Sequence, residues 1–400
     1  MKVQAIIKEK KSEPLIDLLI SLIRYAVFGT GAEKLLEIDI SAEQMTKLYR
    51  ISKAHDLAHL VSSALSKLGR LSDDELSFSF EKQQMKAVTR YERMSRTLSK
   101  ICDALEKVEI PFIPLKGAVI REYYPEPFMR TSGDIDLLVH EDDLEGARRI
   151  FVEELEFEFV HKGTHDMIFL TPNQVNIELH FSLIEENRVN SADKPLADVW
   201  NNATVVDGKK YQYKLTDDMF YYYHIAHMAK HFVSGGCGIK PFIDIYILNH
   251  SVDFDREAIN EKLNHGGLYD FSKHAEGLSE VWFGEEKHSD LTLQMQAFLI
   301  LGGVHGVMSN RIAVERATNK SKLSYAMSRI ILPYDVLKYY YPVLEMHKWL
   351  LPLCQVRRWF KVLFFGGVGR SVKELKTNND ISKDETKVLQ EFLSNLGLRK

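Results

Sequence analysis

Two carboxylates stand two residues apart in Gly133-Asp134-Ile135-Asp136. In a strand, side chains at i and i+2 share a face, so both would project together. The residues around them, Ile135, Leu137, Leu138 and Val139, are those of an apolar strand. Like charges so close to apolar surface are costly to keep ionised. A divalent cation removes that cost. Mg²⁺ (or Mn²⁺) takes hard oxygen ligands of this kind, usually one or two carboxylates plus phosphate oxygens. Val175-Asn176-Ile177-Glu178-Leu179-His180 offers a third carboxylate: Val175, Ile177 and Leu179 alternate with Asn176, Glu178 and His180, giving one apolar and one polar face. Three carboxylates on adjacent strands can hold two metals about 3.5–4 Å apart. One ion would lower the pKa of an acceptor hydroxyl and the other would hold a triphosphate and its leaving pyrophosphate. Glu178 is then either the third metal ligand or the base that takes the acceptor's proton.

The phosphate side of such a site is expected at Lys116-Gly117-Ala118, directly after a short apolar run and at the start of a helix. Backbone N–H groups at a helix start bind phosphate, and glycine permits close approach. Lys116 adds charge, and Arg130 could hold a phosphate in a bidentate manner. Ser132 and Gly133 shape the turn into Asp134. The plainer readings are an exposed turn lysine at 116 and, at 130, a structural partner for one of the aspartates.

Other residue patterns carry less. His224, His227 and His231 fall within roughly 60° of one helix face, which makes a zinc site conceivable, although no His-Glu-x-x-His pattern is present. The preferred reading turns Lys230 and His231 toward the acidic site, where they would touch nucleotide or acceptor. Asp244 would orient other groups, cap a helix or join a core salt bridge. Ser234-Gly235-Gly236-Cys237-Gly238 lacks the Lys-Ser/Thr ending of a phosphate-cradling loop and reads as a turn between helices. Leu337 to Phe365 mixes aromatic and basic residues and is broken by Pro342 and Pro352, so a packed helical hairpin is preferred to a helix lying on a membrane.

The elements that must position these residues can be read from periodicity. Leu15, Leu18, Leu19, Leu22 and Ile23 recur at helical spacing, Ser41 looks like a helix start, and residues 81–108 read as one long amphipathic helix with Met85, Val88, Met94, Leu98, Ile101 and Leu105 inward. Strand-like runs follow at 110–115, 135–139, 157–160, 167–170 and 175–181, with short helices at 118–124 and 142–155. From Thr216 the pattern is helical again. The expected fold is therefore α+β, a small mixed-sheet core flanked by helical regions. The expected divisions are 1–86 (helical), 87–206 (catalytic core), 207–325 (helices closing the cleft) and 326–400 (helices and a polar tail). At 400 residues the chain suits two to three domains of about 100–200 residues each.

Lys and Arg number 52 against 56 Asp and Glu, a formal net charge of −4, so nothing global drives the chain onto nucleic acid. Its three cysteines, Cys102, Cys237 and Cys354, are far apart and suit a reducing compartment. With no apparent leader at Met1-Lys2-Val3-Gln4 and no apolar run of about 18–20 residues, a cytoplasmic location is expected.

These residues resemble the nucleotidyltransferase superfamily that includes DNA polymerase beta and the aminoglycoside nucleotidyltransferases. The closer resemblance is to a bacterial group called the uncharacterised nucleotidyltransferase family. It rests on the run from Ile113 to Pro125 (Ile-Pro-Leu-Lys-Gly-Ala-Val-Ile-Arg-Glu-Tyr-Tyr-Pro), on Arg130, on Gly133 to Val139, and on Ile177-Glu178-Leu179-His180. Ala54 to Leu57, the helix with His227, Asp244, and the Tyr341-Pro342 to Arg357 or Arg358 stretch extend it. The resemblance implies Asp134 and Asp136 as metal ligands, Glu178 as the third acidic residue, and transfer of an NMP from an NTP to an unidentified acceptor. One departure stands out. The wider superfamily carries Gly-Ser after the first strand, where the hydroxyl touches a phosphate; here Gly117 is followed by Ala118. The alternative is thus a catalytically degenerate fold that binds nucleotide or a partner. Acceptor, base preference and oligomeric state are not legible.

Overall fold

The computed structural model describes residues 13–184, 189–302, 308–317, 324–325, 327, 330–364 and 368–398. The fold is α+β. Helices α1 (Pro14–Phe28), α2 (Ala32–Glu37), α3 (Ala42–Ala54), α4 (Ala58–Lys67) and α5 (Glu75–Lys107) come first. Ser41 starts α3 through a capping box with Gln44, each side chain taking the other's backbone N–H. Asp74 caps α5, accepting from Ser77 N at 2.8 Å. The helix therefore begins at Glu75, ahead of the expected residue 81. Met94, Ile101 and Leu105 of α5 are buried as expected, but Met85 and Val88 are exposed. The correction has a simple cause. That half of α5 packs against α4 through Phe80 and Ala87, and Met85, about 180° from Met94 around the helix, points away from the core.

The sheet consists of β1 (Phe112–Pro114), β2 (Asp134–Val139), β3 (Glu158–Lys162), β4 (Asp166–Leu170) and β5 (Asn176–His180), in the order β1-β2-β5-β4-β3. Only the β2–β5 pair is parallel. Helix α6 (Gly117–Ile120) follows β1, and α7 (Leu144–Arg149) follows β2 and continues through a wider turn to Glu154. A two-stranded ribbon, β6 (Ala203–Val205) with β7 (Tyr213–Leu215), had no clear sequence signal because each strand is three residues long.

Alternation along β2 divides the molecule. Ile135, Leu137 and Val139 join Phe169, Ile177 and Leu179 in a core under Met94, Ile101 and Leu105 of α5. The opposite face carries Asp134, Asp136 and Leu138. Leu138 belongs to a second core with Ile113, Leu115 and the helices on both sides of the sheet in sequence. Those helices include α8 (Asp217–Val233) and α9 (Lys240–Ser251), so the polar face of β2 looks at α8 and α9. Toward the end, Tyr334–Tyr340, Val343–Met346 and Leu351–Phe364 are helical; Leu337, Leu344 and Cys354 make a small core there, while Trp349, Phe360 and Phe364 are exposed. No helix among the described residues is long and apolar enough to cross a membrane. The three cysteines are free and buried.

Candidate active site

Parallel register sets Asp134 against Asn176, Asp136 against Glu178, and Leu138 against His180. Because register and facing coincide, Asp134, Asp136, Glu178 and His180 share one side of the sheet. They line a cavity of about 490 Å³ between the sheet and α8, the size range of small-molecule sites. Asp136 is 3 % exposed. Lys116 Nζ donates to its Oδ1 at 2.7 Å, and His180 Nε2 lies 3.0 Å from the same oxygen and 3.6 Å from Glu178 Oε2.

The charges interact strongly. Burial would raise Asp136, but Lys116 and His180 beside it override burial and hold the carboxyl well below its usual range. Burial, then the Asp136 charge, raise Asp134 and push Glu178 up to about 8. Burial pulls Lys116 down; the Tyr223 oxygen and the Asp136 carboxylate outweigh it and keep the ammonium charged. Asp136 is thus a fixed anion, while Asp134 and Glu178 resist ionising beside it. That donor set fits a divalent cation, which would let all three ionise together. Asp136, Glu178 and His180 each bring one ligand atom within 4.8 Å of the others.

The turn that carries Lys116 is built for close contact. Leu115 N donates to Asp136 O at 3.0 Å, tying the turn to β2. Lys116 has φ +48°, a left-handed conformation rare outside glycine. At Gly117 an added Cβ would stand 3.0 Å from Ser132 Cβ and 3.1 Å from its Oγ. Arg121, buried, clamps both sides by donating to Gly117 O at 2.6 Å and Ser132 Oγ at 2.8 Å. The Ser132 side chain therefore packs against Gly117.

Arg130 also lines the cavity, yet its guanidinium is engaged elsewhere. Nε contacts both oxygens of Asp244 at 2.8 and 3.1 Å, Nη2 donates to Oδ2 at 2.8 Å, and Nη1 donates to Thr131 O at 2.7 Å. Asp244 is fully buried on α9 and also accepts from Tyr124 Oη at 2.6 Å. Of the alternatives for Asp244, the structure places it in a core salt bridge. Next to this pair, Lys240 Nζ donates to Asp56 Oδ2 at 2.7 Å, and Thr131 Oγ1 donates to the same oxygen at 2.8 Å.

Lys230 and His231 line the cavity with His224 and His227. The three histidines do not converge: His224 Nε2 lies 3.3 Å from Pro241 O, whereas His227 and His231 face each other, Nε2 to Nε2, at 3.1 Å. Burial first, and Lys116 second, push Lys230 down to about 8. The residues that sequence reasoning missed are His180 as a neighbour of Asp136, Tyr223 beside Lys116, and the His165–Asp166 pair at the cavity wall. His180 had a signal, its place on the polar face of β5. His165 and Asp166 had none without the strand register.

The sequence pattern of a family described as uncharacterised nucleotidyltransferases matches residues 41–284, more than half of the chain. The chain belongs to the uncharacterised nucleotidyltransferase family. No curated protein and no solved structure matches it significantly. The match contains the whole cavity wall, from Lys116 on the β1 side to Lys240 on α9. Nucleotidyl transfer is the activity that this family membership supports.

Proposed function

We propose that the cavity transfers a nucleoside monophosphate from an NTP to an acceptor hydroxyl or similar group, releasing pyrophosphate. One observation carries this reading: Asp136 and Glu178 are register partners on parallel strands, with Asp134 on the same face and Lys116 beside them. A bound Mg²⁺ or Mn²⁺ would supply Lewis-acid stabilisation of the phosphate charge. Asp134, Asp136 and Glu178 would hold it. Lys116 has the charge and position to meet a phosphate, exchanging its contact with Asp136 for one with the ligand. Gly117 and Ser132 shape the turn beneath it. Arg130, held by Asp244, would support the cavity floor and present any remaining N–H edge to the ligand. Lys230 and His231 stand on the opposite wall, where nucleotide or acceptor would pass.

Asp136→Asn, supplied with Mg²⁺ and α-labelled NTP, tests the reading. The wild type is expected to release pyrophosphate and label an acceptor, and the variant to do neither. Undiminished transfer by the variant would sink the assignment.

A second reading keeps the fold without the reaction, as a module that binds nucleotide or a partner. The Lys116–Asp136 ion pair favours it, since an internal ammonium can take the place of a cation. Calorimetry separates the two, because Mg·NTP binding without pyrophosphate release belongs to this reading alone.

A further inference from the structure

Beside the carboxylates, the end of the β4–β5 hairpin gathers a second set of donors. His165, Asp166 and His180 each offer a ligand atom, all within 4.8 Å of one another. The fold places them for reasons that do not involve the acidic triad. Asp166 opposes His180 in the antiparallel β4–β5 ladder. His165 O accepts from Phe181 N at 2.9 Å and from Ser182 N at 3.3 Å, pinning the strand ends together. The Asp166 carboxylate fits because position 163 is glycine; a Cβ there would stand 2.2 Å from Asp166 Oδ1. Thr164 Oγ1 lies 2.8 Å from His165 Nδ1, which turns His165 Nε2 toward Asp166 Oδ2 at 3.7 Å. The two imidazoles are nearly parallel, with centroids 5.9 Å apart and planes at 18°.

His180 supplies the second observation. Its side chain is 4 % exposed, and Nε2 is committed toward Asp136. The other ring nitrogen, Nδ1, is buried and has no hydrogen-bond partner among the described residues. A buried polar atom left unpaired is costly and calls for a ligand. With Nε2 turned to Asp136, Nδ1 is the ring nitrogen left to meet a ligand. Metal-binding histidines have this arrangement, since they donate their other N–H to a carboxylate.

We propose that His165, Asp166 and His180 bind one divalent transition-metal ion of the zinc class, through His165 Nε2, an Asp166 oxygen and His180 Nδ1. The site adjoins the carboxylates of the transfer reaction through His180, but it does not depend on that reaction. Imidazole donors select zinc-like ions over Mg²⁺, which prefers oxygen alone. A tetrahedral ion with ligands at about 2.1 Å has ligand–ligand edges of about 3.4 Å, close to the His165–Asp166 separation.

The test uses full-length protein stripped by chelator, titrated with Co²⁺ in excess Mg²⁺ and followed by visible absorption. One equivalent of Co²⁺ should give ligand-field bands, and X-ray absorption of the zinc-loaded wild type should count two imidazoles. His165→Ala and the size-conserving His165→Gln should each weaken Co²⁺ binding by more than the about 10–100-fold that loss of a mere outer partner costs. Asp134→Asn should keep the bands. Oxygen-only coordination in the wild type, no Co²⁺ uptake against Mg²⁺, or His165 variants that bind like the wild type would each overturn the proposal. A chain that releases no pyrophosphate yet shows these bands would refute the transfer reading and leave this site standing.

Discussion

Removing either half of the Arg130–Asp244 pair should cost far more than removing both. Asp244 is fully buried and the Arg130 side chain is 14 % exposed. Three guanidinium contacts of 2.8–3.1 Å and the Tyr124 hydroxyl at 2.6 Å satisfy the carboxylate. Asp244→Leu leaves a buried guanidinium and a phenol without their acceptor, and Arg130→Met leaves a buried carboxylate. Each single change is expected to cost about 3–5 kcal/mol, the usual penalty for an uncompensated buried charge. At about 2–4 °C per kcal/mol for units of this size, the melting temperature falls by roughly 6–20 °C. The double variant Arg130→Met/Asp244→Leu buries no charge, so it should melt above both singles instead of losing the sum of their effects. Scanning calorimetry on the four proteins closes the cycle. Additive losses, or an Asp244→Leu protein melting within about 2 °C of wild type, would refute the reasoning, because the second outcome corresponds to less than about 1 kcal/mol.

Three further outcomes are expected. Gly117→Ala should lose about 1–3 kcal/mol by crowding Ser132, and Ser132→Gly should restore much of its melting temperature; a double variant no better than Gly117→Ala removes crowding as the cause. His59, 3 % exposed with Nε2 2.9 Å from Met129 O, is pushed down by burial to about 4. Its folded value lies below the unfolded one near 6.5, so its contribution is complete above that pH and falls away as pH drops toward 4. Wild type should lose about 2 kcal/mol more than His59→Gln between pH 7 and pH 5 in chemical denaturation, and parallel curves would count against this. Mg·NTP at about 100 times its Kd should stabilise the wild type by about 2.7 kcal/mol, and a melting shift of the same size in Asp134→Asn would separate that carboxylate from the ion.

Much of the acidic face was legible because a period of two is unambiguous when apolar and charged residues alternate. Asp134, Asp136 and Glu178 needed only that rule. The long helix was legible where it covers the sheet, at Met94, Ile101 and Leu105, and misread at Met85 and Val88, because the buried stripe continues through Phe80 and Ala87 and Met85 falls about 180° away from Met94. Lys116 and Arg130 were legible as cations near the turn, but not their partners: Asp244 is 114 residues from Arg130, and only tertiary packing joins them. His165 and Asp166 became visible through the β4–β5 register, which no local pattern encodes.

The parallel pairing of β2 with β5 also sets a timetable. Glu178 follows Asp136 by 178 − 136 = 42 residues, and the β3–β4 hairpin is made between them. During synthesis at about 5–20 residues per second, β2 waits roughly 2–8 s for its parallel neighbour. Helix α5, already made, can cover the Ile135, Leu137 and Val139 face in that interval. The edge of β2 that β5 will fill stays open, with two carboxylates on its other face. Negative charge beside an unfilled strand edge discourages pairing with another chain. The acidic pair would then protect the nascent chain from aggregation before there is any cavity for it to serve.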